Sequence, residues 1–109
     1  MVYKVQLSEA AKKDLSDLVD YIQVEFGENI KKRIHIQLTD SLKSLSTFPY
    51  KGKSGESLLV FLKGYYCLPL KRNTIFYKVN EEKKLVYVLR IFNNREDAIS
   101  KLLQFMERE

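Results

Sequence analysis

The chain of 109 residues has one cysteine, one histidine, two prolines and no tryptophan, and each scarcity excludes something. A single thiol, Cys67, cannot form an internal disulfide framework or a cysteine-cluster metal site. The one histidine, His35, falls inside a helical pattern between Ile34 and Ile36, where a structural or exposed role fits better than catalysis. Ser/His/Asp nucleophilic chemistry therefore has no sensible trio to draw on. Only four glycines are present, and none is grouped into a phosphate-cradling loop. These absences point to no cofactor and no metal. No apolar run approaches the roughly 20 residues that span a bilayer. The opening MVYKVQL lacks the apolar core of a signal peptide and reads as a strand. A reducing cytoplasm is the expected setting.

Hydrophobic residues make up 45% of the chain, enough for one folded domain over residues 1–109 with a single core. The net charge of +5 is unevenly placed. Met1 to Tyr50 holds seven basic and seven acidic residues, whereas Lys51 to Glu109 holds twelve basic and seven acidic. The whole excess lies in the second half, which favours an anionic partner, either nucleic acid or an acidic protein.

Three apolar, β-branched and aromatic runs organise that half: Tyr65 to Leu70, Thr74 to Val79 and Leu85 to Phe92. The breaks between them are too short for parallel crossovers, so an antiparallel meander is expected. Before it, Val2 to Leu7 alternates as a first strand. Ser8 is placed to cap a helix whose stripe is Ala11, Leu15, Leu18, Val19, Ile22 and Phe26. Gly27 suits a left-handed helix end. A second helix over 28–46 carries Ile30, Ile34, Leu38, Leu42 and Leu45 inward, and Phe48-Pro49 closes it. A loop follows over Tyr50 to Ser57, and Leu58 to Leu62 is expected to lead into the meander. After the meander, Asn94 and Asp97 cap a last helix with Ile99, Leu102, Leu103 and Met106 on one side. The expected fold is α+β: a strand, an antiparallel helical hairpin on one face of a mainly antiparallel curved sheet, and a short C-terminal helix. The opposite face is expected to be partly open.

Hydrolysis, if there is any, would rest on Arg, Lys and Tyr. Arg72, Arg90 and Arg95 are the candidate cations for stabilising charge on a phosphate, with Tyr77 or Tyr87 able to stack on a base. Lys51, Lys53, Lys71, Arg72, Tyr77 and Arg95 are the candidate binding residues. Aromatic side chains in strands more often serve packing, which is the competing role for both tyrosines.

The order of elements and their wording resembles the RelE/ParE superfamily of bacterial type II toxins. YKVQLSEAAKKDLSDLVDYIQVEFG is similar to that family's opening strand and first helix, and Phe48-Pro49 with Gly52 to its FP..G stretch. LPLKRNTIFYKV followed by LRIFNNRED is similar to its hairpin. The resemblance implies a small toxin neutralised by a cognate antitoxin, which wraps it with an amphipathic and commonly acidic segment. It also implies one of two targets. RelE-like members cut messenger RNA on the ribosome with basic and aromatic residues of the sheet, making Arg72, Arg90, Arg95 and Tyr87 the catalytic candidates. ParE-like members poison DNA gyrase and need no nuclease site. Here Tyr66 to Leu70 contains no cation, and Phe92 or Asn93 stands where many relatives have a histidine. These departures favour the gyrase-directed branch, with the metal-independent endoribonuclease as the alternative. A non-toxic domain that binds nucleic acid or protein is a second alternative.

Overall fold

Ser8 sets the first helix. In the computed structural model, which describes residues 2–54, 64–93 and 104, Ser8 has extended backbone angles and its Oγ accepts the Ala11 N–H at 3.0 Å. That satisfies one of the donors that the first turn of any helix leaves without a partner. Helix α1 runs Glu9–Phe26 and helix α2 Glu28–Thr47. One residue, Gly27, reverses the chain between them at φ +90°. Its ψ of 174° makes this a sharper corner than the expected left-handed helix end, in a region open essentially to glycine alone. The corner serves both helices: the Gly27 N–H donates to the Gln23 carbonyl at 3.0 Å, and its own carbonyl accepts the Lys31 N–H at 3.1 Å.

Strand β1 is Lys4–Leu7, β2 Lys53–Ser54, β3 Tyr65–Pro69, β4 Asn73–Asn80 and β5 Leu85–Asn93. They form one open sheet in the order β1-β5-β4-β3-β2. The meander β3-β4-β5 is antiparallel as its short breaks require, and β2 adds to it antiparallel. β1 lies parallel to β5, the helical hairpin supplying the crossover that a parallel pair needs. The expected Leu58–Leu62 strand, the C-terminal helix and Arg95 lie outside the described residues; Gln104 is helical and exposed.

The two helices cover one face. Ala11 of α1 and Leu38, Leu42 and Leu45 of α2 pack with Leu68, Ile75, Tyr77, Val86, Val88 and Ile91 of the sheet into one buried cluster. Phe26, the last residue of the expected α1 stripe, is instead 50% exposed. The opposite face, expected to be partly open, carries exposed Lys4 and Lys78 beside a small buried group. Phe76, Leu89 and Phe92 are buried there, with Tyr65, Cys67 and Tyr87 packed against them. A β-bulge explains how β5 feeds both faces: Phe76 pairs with Arg90 and Tyr77 with Val88, leaving Leu89 as the extra residue. Val88 and Ile91, three apart, thereby share the helix-covered side.

The β1–β5 ladder stops at Leu7 and Val88, and the start of α1 finishes the edge. Ser8 N–H donates to the Val88 carbonyl at 2.9 Å, and Ser8 Oγ–H to the Leu89 carbonyl at 2.7 Å. Asp14 then accepts the Ile91 N–H at 3.0 Å. An unpaired run of β5 backbone is thus closed by two side chains rather than by a strand.

The stretch after Phe48-Pro49 is pinned by Gly52, whose N–H donates to the Tyr77 hydroxyl at 3.1 Å. A Cβ at Gly52 would sit 2.7 Å from that hydroxyl oxygen and 2.8 Å from the Cys67 carbonyl oxygen, so no side chain fits there. At the β4–β5 turn, Glu81 gathers three partners. It accepts the Tyr3 hydroxyl at 2.6 Å and the Tyr50 hydroxyl through one carboxylate oxygen, and Lys84 Nζ at 2.9 Å through the other. Hydrogen bonds from Tyr3, Tyr50 and Lys84 hold the Glu81 carboxyl down at about 2, and the same carboxylate pushes both phenols up.

A depressed carboxyl stabilises the fold fully above its ordinary value of 4.5 and loses that contribution as pH falls toward 2. Wild type is therefore expected to melt above Glu81→Gln at pH 7, with the difference shrinking between pH 4.5 and 2. Thermal melts of both proteins across that range check it; a difference independent of pH would contradict it.

Candidate functional site

Among the described residues, those singled out from the sequence do not converge. Tyr77 is fully buried in the helix-covered cluster, stacked on Tyr66 at 5.6 Å between ring centroids, so its ring is closed to a base. Its burial also pushes the phenol pKa up. The suggested binding role for Tyr77 gives way to a structural one: alternation alone could not say which strand face the helices would cover. Arg90 is likewise engaged. Its Nε and Nη2 donate to the two Asp14 oxygens at 2.7 and 2.8 Å, and its guanidinium lies 5.2 Å from the Phe92 ring centroid. It completes the β5 edge and borders a hollow of about 700 Å³ that Asp14 and Asp17 also line.

Lys51 is exposed near the β4–β5 turn end and donates to Ser44 Oγ at 3.0 Å. Lys53 on β2 pairs with Cys67, which turns it to the face away from the helices. Lys4 and Lys78 share that face, alternating with residues packed under the helices. Tyr87 is half-buried there, 5.9 Å from Lys78 Nζ. Lys71 and Arg72 occupy the β3–β4 turn at the other end of β4, roughly 25 Å from Glu81 at strand rise. Among the described residues, the positive charge of the second half is therefore divided among a turn, a sheet face and the opposite end. Cys67 is half-buried, and burial pushes its thiol up, away from reactive thiolate.

The Lys71–Arg72 turn is the one of these groups that borders a groove. Leu18, Tyr21, Ile22 and Phe26 of α1 form one wall; Lys71, Arg72, Asn73 and Asn93 form the other, around a volume of about 470 Å³. On the α2 side of the same turn lies a recess of about 230 Å³ bordered by Ile34, Leu38 and Leu70. Arg72 lies over Phe26, 5.9 Å from its ring centroid. Asn73, 6% exposed, holds the base of the turn by donating from Nδ2 to the Phe92 carbonyl at 3.3 Å. Among the described residues no carboxylate borders either hollow. Acids do occur farther along α1, where Asp17 and Asp14 meet Lys13 and Arg90. The groove is the feature that the sequence reading missed, because its walls come from α1 and a turn some fifty residues later.

The profile of a family described as "ParE toxin of type II toxin-antitoxin system, parDE" matches residues 5–98. No curated protein sequence matches significantly. Among solved structures, the chain is similar to a chain of the toxin-antitoxin complex RelBE2 from Mycobacterium tuberculosis. That match has 22% identity and a TM-score of 0.65, covering 86% of this chain and 100% of the other. It is similar to a chain of the chromosomal ParDE system from P. aeruginosa at 20% identity and TM-score 0.68, covering 84% and 96%. It is also similar to an arginine mutant of the E. coli toxin RelE in the free state at 18% identity and TM-score 0.59, covering 95% and 97%. At these identities the likeness to solved structures concerns the fold.

Proposed function

The chain belongs to the ParE toxin family of type II toxin-antitoxin systems, within the RelE/ParE superfamily, and from that premise we propose that it arrests growth by poisoning DNA gyrase. The observation that carries this choice of target is the state of Arg90. Both faces of its chemistry are committed, with the Asp14 carboxylate in the plane and the Phe92 ring nearby. A nuclease drawing on that cation would have to break a two-pronged ion pair first. Two further findings agree. Tyr77 is buried, and burial or a carboxylate neighbour moves the shifted tyrosines and the thiol upward, so none becomes a base near neutrality. Among the described residues, what remains for the RNase reading is Lys71 and Arg72 on their turn and Tyr87 on the far sheet face; Arg95 lies outside them.

A protein of this kind needs a cognate antitoxin, and two of the similar structures are toxin-antitoxin assemblies. An acidic antitoxin suits the surplus of cations in the second half of the chain. Purified chain added to gyrase and relaxed plasmid is expected to stop supercoiling and leave linear DNA, while translated messages in a parallel reaction stay whole. Supercoiling that continues while messages are cut would move the target to the ribosome. Neither effect would leave a binding domain.

A further inference from the structure

The two helices of the hairpin differ in charge: α1 holds five acidic and two basic residues, α2 four basic and two acidic. We propose that the side of the hairpin turned away from the sheet pairs two copies of the chain, α1 of each lying over α2 of the other about a two-fold axis parallel to the helices. The pairing does not depend on the choice of target. It leaves both sheets and both Lys71–Arg72 turns on the outside.

Register is the first argument. The chain reverses at Gly27, so residues equally far from it lie side by side, as Gln23 Oε1 and Lys31 Nζ do at 3.5 Å. A two-fold axis along the helices preserves height, so an outer residue of α1 meets the α2 residue equally far from the corner in the other copy. Glu9 then faces Lys43, Lys13 faces Asp40 and Asp20 faces Arg33, all six exposed. Each contact is opposite in sign and, by symmetry, occurs twice. Glu9 and Lys13 also make exposed pairs along α1, with Lys12 and Asp17, which a facing charge joins rather than replaces. A slip of about one turn sets Lys13 against Lys43 in one direction and Glu9 against Asp40 in the other, so the pattern specifies a single register.

Exposed apolar surface is the second. Val24 is 82% and Ile36 59% exposed. Each stands two residues from a buried side chain, Ile22 and Leu38, and so points nearly opposite to it on its helix. Ile36 lies between Arg33 and Asp40, and Val24 one turn beyond Asp20, so methyl groups alternate with the charges along the seam. Two adjacent helices, each about 24 Å long and about 10 Å wide, cover roughly 500 Å² per copy. A total of about 1,000 Å² is the size of weak, reversible interfaces. Exposed ion pairs add little strength to such a contact but choose the partner and its orientation.

The test is sedimentation equilibrium of the purified chain at about 10–500 µM, the range suited to an interface this small. Wild type is expected to form a dimer whose association weakens at least ~5-fold between about 0.05 and 0.5 M salt. Asp20→Arg sets a like charge against Arg33 in both halves of the pair, and Arg33→Asp does the same to Asp20. Each variant alone is expected to associate at least ~10-fold more weakly than wild type. Mixed in equal amounts, the two meet with opposite charges at both contacts, and association near the wild-type level is expected to return. Both positions are exposed, and thermal melts check that each variant folds. Overall charge would move the two variants in opposite directions, so loss in both marks the specific contact. Wild type that stays monomeric, single variants that associate like wild type, a mixture that stays monomeric, or association that grows past two copies would each overturn the pairing.

Discussion

Leu38→Asp is expected to eliminate the cooperative thermal transition. Leu38 is 4% exposed in the middle of α2, inside the cluster that joins Ala11, Leu42, Leu45, Ile75 and Val88. Aspartate there removes about 2 kcal/mol of apolar burial and puts a carboxylate among apolar side chains, at a cost of several kcal/mol more. A domain of this size has only about 5–15 kcal/mol of stability to lose. The matched control is Ile36→Asp, two residues away on the same helix but 59% exposed. It is expected to change stability by no more than about 0.5 kcal/mol. Circular dichroism melts of the two variants decide the matter, and a sharp transition in Leu38→Asp would mean that the helices do not pack on the sheet as described.

The second large effect is expected at Asp14. One carboxylate there accepts two bonds from Arg90 and one from the Ile91 backbone, and the two side chains are only 15% and 24% exposed. Asp14→Ala removes all three of these bonds together. Breaking a fully buried pair costs 3–5 kcal/mol; partial exposure brings the expected loss to about 2–4 kcal/mol, read from urea denaturation midpoints. Arg90→Ala should cost less, because Asp14 still receives the Ile91 N–H. The double variant should fall short of the sum by about 1 kcal/mol or more, the signature of a shared network. If both single variants unfold like wild type, Arg90 is free for other work and the argument against a nuclease site weakens accordingly.

Local features of the fold were readable from the sequence. The Ser8 cap, the Gly27 corner, the stripes of both helices and the three runs of the meander each depend on residues a few positions apart, where spacing alone carries the information. The FP..G stretch was also visible, and its reason is now physical: Gly52 lies against the Tyr77 hydroxyl and the Cys67 carbonyl, with no room for a side chain. The candidate site was less legible, because it depends on which face of each strand is covered and on partners far apart in the chain. Tyr77 and Tyr87 look alike in sequence, yet one is sealed under the helices and the other is half-buried on the far face. Arg90 and Asp14 are separated by 76 positions, and the bulge at Leu89 shifts the alternation just before Arg90. No periodicity announces such a pair.

The seating of β1 against β5 also constrains the order in which the molecule can assemble. Lys4 meets Leu85 and Leu7 meets Val88, so β1 pairs with a strand made some eighty residues after it. The hairpin of α1 and α2 and the turns of the meander close over short loops and can form early. The outermost ladder must bring ends together across some eighty residues, which makes it a late and entropically slow event. During synthesis, β1 and the Asp14 clamp have nothing to grip until Val88 and Arg90 have emerged.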